Sequence, residues 1–130
     1  GNNFVKKMIN LMKSKSELIV INDQFGSPTY AGDLANTILD LITNKIWMSG
    51  IYHYTNFGKV SWFDFANDIK SIYGFNTVIN SKSSEEYSLK TKRPKYSLLN
   101  NSKIKNTFDI KQINYFDSLK KCIKILQHES

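Results

Sequence analysis

Apolar and polar positions alternate along this chain with two periods, and the switches between them divide it into elements. Phe4, Met8 and Met12, with Val5, Ile9 and Leu11, recur at helical spacing, so the pattern predicts an amphipathic helix over about Asn3 to Ser14. Leu18-Ile19-Val20-Ile21 is a continuous apolar run with three β-branched residues, which predicts a strand buried on both faces. Asp23-Gln24-Phe25-Gly26-Ser27-Pro28-Thr29 then reads as a polar turn, with Gly26 allowing unusual backbone angles and Pro28 stiffening the exit. From Asp33 to about Thr43 the helical period returns: Leu34, Ile38, Leu41 and Ile42 would line one face toward the core, and Asp33 sits where an N-cap or first-turn acid belongs. Gly50 to Asn56 predicts a short strand, Ile51, His53 and Thr55 to one side and Tyr52 and Tyr54 to the other.

Ser61 opens the clearest helix. Ser61 and Asp64 fit a capping box, Trp62, Phe65, Ala66, Ile69, Ile72 and Tyr73 form the predicted buried stripe, and Gly74 suits a left-handed C-terminus. Asn76 to Asn80 predicts a short strand, Ser81 to Lys92 a long surface loop that could hinge, and Asn100 to Phe108 a short helix. A last helix is predicted over Tyr115 to Gln127, with Asn114 and Asp117 as its cap pair. This alternation predicts one α/β domain of short strands layered with amphipathic helices. A loop leaving the carboxyl end of a buried strand is where such folds place ligands, so the segment from Asp23 to Thr29 is the candidate site.

Composition adds limits. In 130 residues, 41% hydrophobic, there is a single cysteine, Cys122, which excludes a disulfide framework and predicts a reducing, cytoplasmic setting. No apolar run is long enough to span a bilayer. The net charge of +7 favours an anionic partner, but the basic residues are scattered and carry no nucleic-acid-binding signature, so neither nucleic acid nor membrane is an expected partner. Seventeen of the 18 basic residues are lysine; the exception, Arg93, is held extended by Pro94 and could grip a phosphate through two parallel hydrogen bonds. The six glycines never cluster into a dinucleotide fingerprint, no tyrosine has a lysine four residues later, and His53 and His128 lack metal-ligand spacing. A lone strand histidine such as His53 reads as structural.

Several short motifs occur in fixed order: Asn2-Asn3-Phe4-Val5-Lys6, Asp23-Gln24-Phe25-Gly26-Ser27-Pro28-Thr29, Gly50-Ile51-Tyr52-His53, Ser61-Trp62-Phe63-Asp64-Phe65-Ala66, and Arg93-Pro94 with Ser97 and Leu99. The series resembles the C-terminal part of the dTDP-4-dehydrorhamnose reductases, extended short-chain dehydrogenases/reductases, over nearly the whole chain. The resemblance implies an enzyme that reduces the 4-keto group of dTDP-4-dehydro-L-rhamnose with NADPH or NADH, giving dTDP-L-rhamnose for polysaccharide. It implies that a Rossmann lobe absent from this chain holds the cofactor and the catalytic tyrosine and lysine. These 130 residues would be the substrate-binding portion alone, inactive by themselves. Carried over, Gln24, Gly26, Ser27, Pro28 and Thr29 approach the dTDP-sugar, Asn3 and Phe4 lie near the sugar cleft, and Arg93 meets the diphosphate. Gly32 stands where some members carry a carboxylate for an intersubunit metal, so no magnesium site is implied. An apolar face normally covered by the cofactor lobe would drive homo-oligomer formation. The alternatives are a non-catalytic relative, of the type of the methionine adenosyltransferase regulatory subunit, and a small basic nucleic-acid-binding domain.

Overall fold

The computed structural model describes residues 3–87 and 91–128. Helix α1 (Phe4–Ser14) leads into strand β1 (Glu17–Ile21) and the two-residue strand β2 (Phe25–Gly26). Helix α2 (Ala31–Thr43) follows, then β3 (Val60–Ser61), α3 (Trp62–Tyr73), β4 (Val78–Lys82), α4 (Ser102–Phe108) and α5 (Tyr115–His128). Strands β1 and β4 pair in parallel, Glu17 opposite Val78 and Ile21 opposite Lys82, while β2 pairs antiparallel with β3. The main core packs Met8, Ile9 and Met12 of α1 against Leu18 and Val20 of β1, Phe65, Ala66 and Ile69 of α3, and Leu119 and Ile123 of α5. A smaller cluster joins Ile104, Phe108 and Ile110 to Leu41, Tyr52 and Tyr54.

Helix ends follow local chemistry. The Asn3 side chain accepts the Lys6 amide at 3.0 Å and caps α1. Ser61 accepts the Asp64 amide at 3.0 Å and donates its own proton to the Asp64 carboxylate at 2.6 Å, while Gly74 closes α3 at φ 84°. Asn114 accepts the Phe116 amide at 2.8 Å at the head of α5.

Several expectations need correction. β1 is buried on one face only: Leu18 and Val20 point into the core, whereas Ile19 is 44% exposed, because helices cover a single side of the β1–β4 pair. Helix α2 is inverted. It starts at Ala31 with Tyr30 at the cap, buries Asp33 and Thr37, and leaves Leu34, Ile38, Leu39 and Ile42 exposed. The 50–56 segment forms no strand among the described residues, although its predicted alternation survives: Tyr52 and Tyr54 pack inward while Ile51 and His53 are exposed. Trp62 leaves the buried stripe of α3 and is 41% exposed. Gly26 is not in a positive-φ conformation; a Cβ there would sit 3.0 Å from Ser97 Oγ, a tight approach that the serine side chain would have to shift to relieve. The predicted loop at Ser81 begins as the end of β4 and an ordered turn at 83–87; residues 88–90 lie outside the described residues.

Candidate functional site

The turn after β1 is fixed from three sides. At its start, Asp23 Oδ1 accepts both the Ser84 amide at 2.9 Å and the Ser84 hydroxyl at 2.6 Å, and Gln24 Nε2 donates to the same hydroxyl oxygen at 2.9 Å. Ser84 draws the Asp23 carboxyl below its ordinary value, chiefly through the side-chain bond. The turn bearing Ser84 is closed by Ser83 and Glu86, each side chain bonding the other's amide, which is the capping-box form that Ser83-x-x-Glu86 spells in the sequence. Gln24 is buried beneath this turn.

In the middle, the backbone of Phe25 donates to Lys95 O at 2.8 Å and accepts from Ser97 N at 3.0 Å. The segment that follows Arg93 is therefore bonded directly to the loop. Phe25 and Tyr96 stack with centroids 5.5 Å apart, and Lys59 Nζ lies 4.4 Å and 4.7 Å from their ring centres. Ser27 donates to Gly58 O at 2.5 Å, tying the loop to the turn before β3.

At the exit, a buried polar network holds Tyr30. Asn56, 1% exposed, accepts the Tyr30 amide at 2.8 Å through its carbonyl. Its Nδ2 donates to Asp33 Oδ2 at 2.7 Å, to Ser118 Oγ at 3.0 Å and to Ile113 O at 3.2 Å. Ser118 in turn donates to Asp33 Oδ2. The Asp33 carboxylate thus sits buried in the first turn of α2, satisfied by an amide and a hydroxyl and placed at the positive end of the helix. This network, absent from the sequence reading, explains why α2 turns its polar face inward.

A cavity of about 430 Å³ lies beside the exit, bounded by Asn3 and Phe4 of α1, Pro28 and Thr29 of the loop, Trp62 of α3 and Tyr115 of α5. A smaller hollow of about 120 Å³ is lined by Gly26, Ser27, Pro28 and Ser97. The larger walls are mostly aromatic and aliphatic: Phe4 lies 4.7 Å from Trp62 and 5.6 Å from Phe65, ring centre to ring centre. Such a cavity suits a flat, partly apolar ligand with polar groups at its rim. Tyr115 donates to Asp68 at 2.9 Å; burial first, and that bond second, push the phenol well above its usual range, so it stays protonated. Cys122, at the same wall, is raised by burial and stays a thiol.

The predicted residues divide accordingly. Asn3, Phe4, Pro28 and Thr29 share one cavity, Gly26, Ser27 and Pro28 share the smaller hollow, Gln24 turns to Ser84, and Arg93 is exposed two residues before the loop-paired Lys95. No group of three His, Cys, Asp or Glu side chains among the described residues is placed to hold a metal. At Gly32 a Cβ would fall 2.5 Å from the Tyr30 ring.

This is an α/β fold with a loop at the carboxyl end of a parallel strand, walled by helices. Residues 1–128 match the RmlD substrate binding domain model, and the chain belongs to that family. Over 104 residues it is 45% identical to the spore coat polysaccharide biosynthesis protein SpsK of Bacillus subtilis, covering 80% of this chain and 36% of that protein. Among solved structures, a dTDP-4-dehydrorhamnose reductase of Clostridium acetobutylicum superposes with a TM-score of 0.88 at 43% identity, over 98% of this chain and 45% of that one. The dTDP-4-dehydrorhamnose reductase of Bacillus anthracis, in complex with NADP, gives 0.81 at 38% identity, over 93% and 42%. The chain thus spans less than half the length of the proteins it matches.

Proposed function

We propose that this chain is the substrate-binding part of a dTDP-4-dehydrorhamnose reductase, holding the dTDP-sugar while NADPH or NADH bound by a separate Rossmann lobe reduces its 4-keto group. The observation that carries the reading is the pairing of Phe25 with the 95–97 segment, which joins the stretch that follows Arg93 to the loop beside the cavity of Asn3, Phe4, Pro28 and Thr29. In this reading the aromatic walls receive the flat and apolar parts of the ligand, and Arg93 takes the diphosphate. The nicotinamide would supply the hydride. This chain carries no dinucleotide fingerprint and no Tyr-x-x-x-Lys, so its own residues bind and orient the sugar nucleotide and exclude water from one side of it. Relatives named for reductases and for polysaccharide biosynthesis support the same reading, as does an NADP complex in the family. Its setting would be the cytoplasm.

The exposed ridge of Leu34, Ile38, Leu39 and Ile42, continued by Trp47, Met48 and Ile51, is in this reading the seat of the cofactor lobe. The extended 51–55 segment, without a strand partner among the described residues, would join that lobe's sheet.

The test is a chimaera in which these residues replace the matching part of the C. acetobutylicum reductase. It should oxidise NADPH with dTDP-4-dehydro-L-rhamnose, and the isolated chain should not. A folded, NADP-binding chimaera that leaves the keto-sugar untouched would contradict the reading.

A further inference from the structure

Trp62 stands where the two hollows of the site meet. It and Pro28 line both the cavity of about 430 Å³ and the hollow of about 120 Å³. Its place follows from the local sequence: the Ser61–Asp64 capping pair starts α3 at Trp62, ahead of the Phe65 and Ile69 that the core buries further along. There the indole rests on Phe4, ring centres 4.7 Å apart, and still keeps 41% of its surface exposed. Its Nε1–H has no hydrogen-bond partner among the described residues. A supported ring with open surface and an unspent donor is what a tryptophan offers to a ligand.

The small hollow says which part of a ligand this is. Its volume of about 120 Å³ is well below the roughly 300 Å³ of a pocket that takes a drug-sized molecule, so it admits a single ring and not a nucleoside. The hydroxyls in its lining have spent their protons. Ser27 donates to Gly58 O at 2.5 Å and Ser97 donates to Phe25 O at 3.1 Å, which leaves them only lone pairs to offer. Ser61 spends its proton on Asp64. Among the described residues no Lys or Arg lines the hollow. Lone pairs repel a phosphate and accept from a hydroxyl. A pyranose meets both demands, with hydroxyls around its edge and C–H bonds on its faces to lie against an aromatic ring.

We infer that Trp62 is a specificity-determining residue: the sugar ring of the nucleotide-sugar lies on its indole, with sugar hydroxyls on Ser27 and Ser97. The inference rests on the substrate reading above and adds to it the place of the sugar.

Amide and indole NMR of the full chain, titrated with dTDP and with dTDP-L-rhamnose, tests it. Trp47→Phe tells the two indole signals apart. The rhamnose nucleotide should move the Trp62 Nε1–H resonance, and dTDP should leave it in place. Trp62→Leu keeps an apolar side chain without an aromatic face. It should weaken dTDP-L-rhamnose about fivefold more than dTDP, and Trp62→Phe should recover most of that difference. Equal losses for the two ligands would put Trp62 under the base, and no loss for either would leave it without a role. Each result overturns the inference, while dTDP binding leaves the substrate reading standing. Should Trp62→Leu not fold, the wild-type indole resonance decides: a shift common to both ligands, or none with the rhamnose nucleotide, overturns the inference. Binding of neither nucleotide contradicts the substrate reading itself, and this inference falls with it.

Discussion

Asn56 decides the shape of the candidate site more than any residue on its surface. One side chain joins the loop exit, the first turn of α2 and the start of α5, through partners 26, 23 and 62 positions away in sequence. Asn56→Ala should lower stability by roughly 3 kcal/mol, because the Tyr30 amide and the Asp33 carboxylate lose a buried partner. Urea denaturation at unchanged m-value measures this, and a loss below the size of one exposed hydrogen bond would show that water replaces the amide. Asp23 gives a pH test. Its folded pKa lies below the unfolded value, so the stability it contributes is complete above a pH of about 3.9 and is lost as the pH falls through the folded value. Ser84→Ala should raise the Asp23 pKa toward 3.8 by NMR titration, and an unmoved value would remove the Ser84 hydroxyl as its chief cause. The partners of neither group could be read from sequence. Asn56 sits in a plain Asn-Phe-Gly turn, and no local spacing connects it to Asp33 or Ser118; the Ser83-x-x-Glu86 box, by contrast, was there to be found.

At the scale of elements, the helix ends were legible because their determinants are local. Ser61, Asp64 and Gly74 act as their types and spacing predict. Gly74→Ala should cost about 1 kcal/mol in thermal or urea unfolding. No atom lies within 4 Å of the added Cβ, so the left-handed backbone alone sets the cost. A neutral substitution would mean the helix end relaxes. Helix α2 misled because its apolar stripe is real but its core contact is polar: Asp33 and Thr37 face inward. Periodicity finds an amphipathic face without saying what covers it. The same reason accounts for β1, where an apolar run implied two covered faces and the fold covers one. The 50–56 segment carries strand alternation, yet a strand needs a partner.

For the molecule as a whole, these errors point the same way. Ile19 and the outer face of α2, expected to be interior, are exposed, and so are Ile46, Trp47, Met48 and Ile51 beyond the helix. Self-association through the α2 face should therefore rise with concentration in sedimentation experiments. Leu39→Glu with Ile42→Glu should abolish it while changing stability by no more than about 0.5 kcal/mol. A wild-type chain monomeric at high concentration would contradict this use of the surface. The central claim, that the loop after β1 and its surroundings receive a sugar nucleotide, is tested most directly by mapping dTDP on the isolated chain by amide NMR. The account predicts weak, saturable shifts gathered at Asn3, Phe4, Gly26 to Thr29 and Arg93. Shifts confined to α4 and the far end of α5, or none at any concentration, would contradict it.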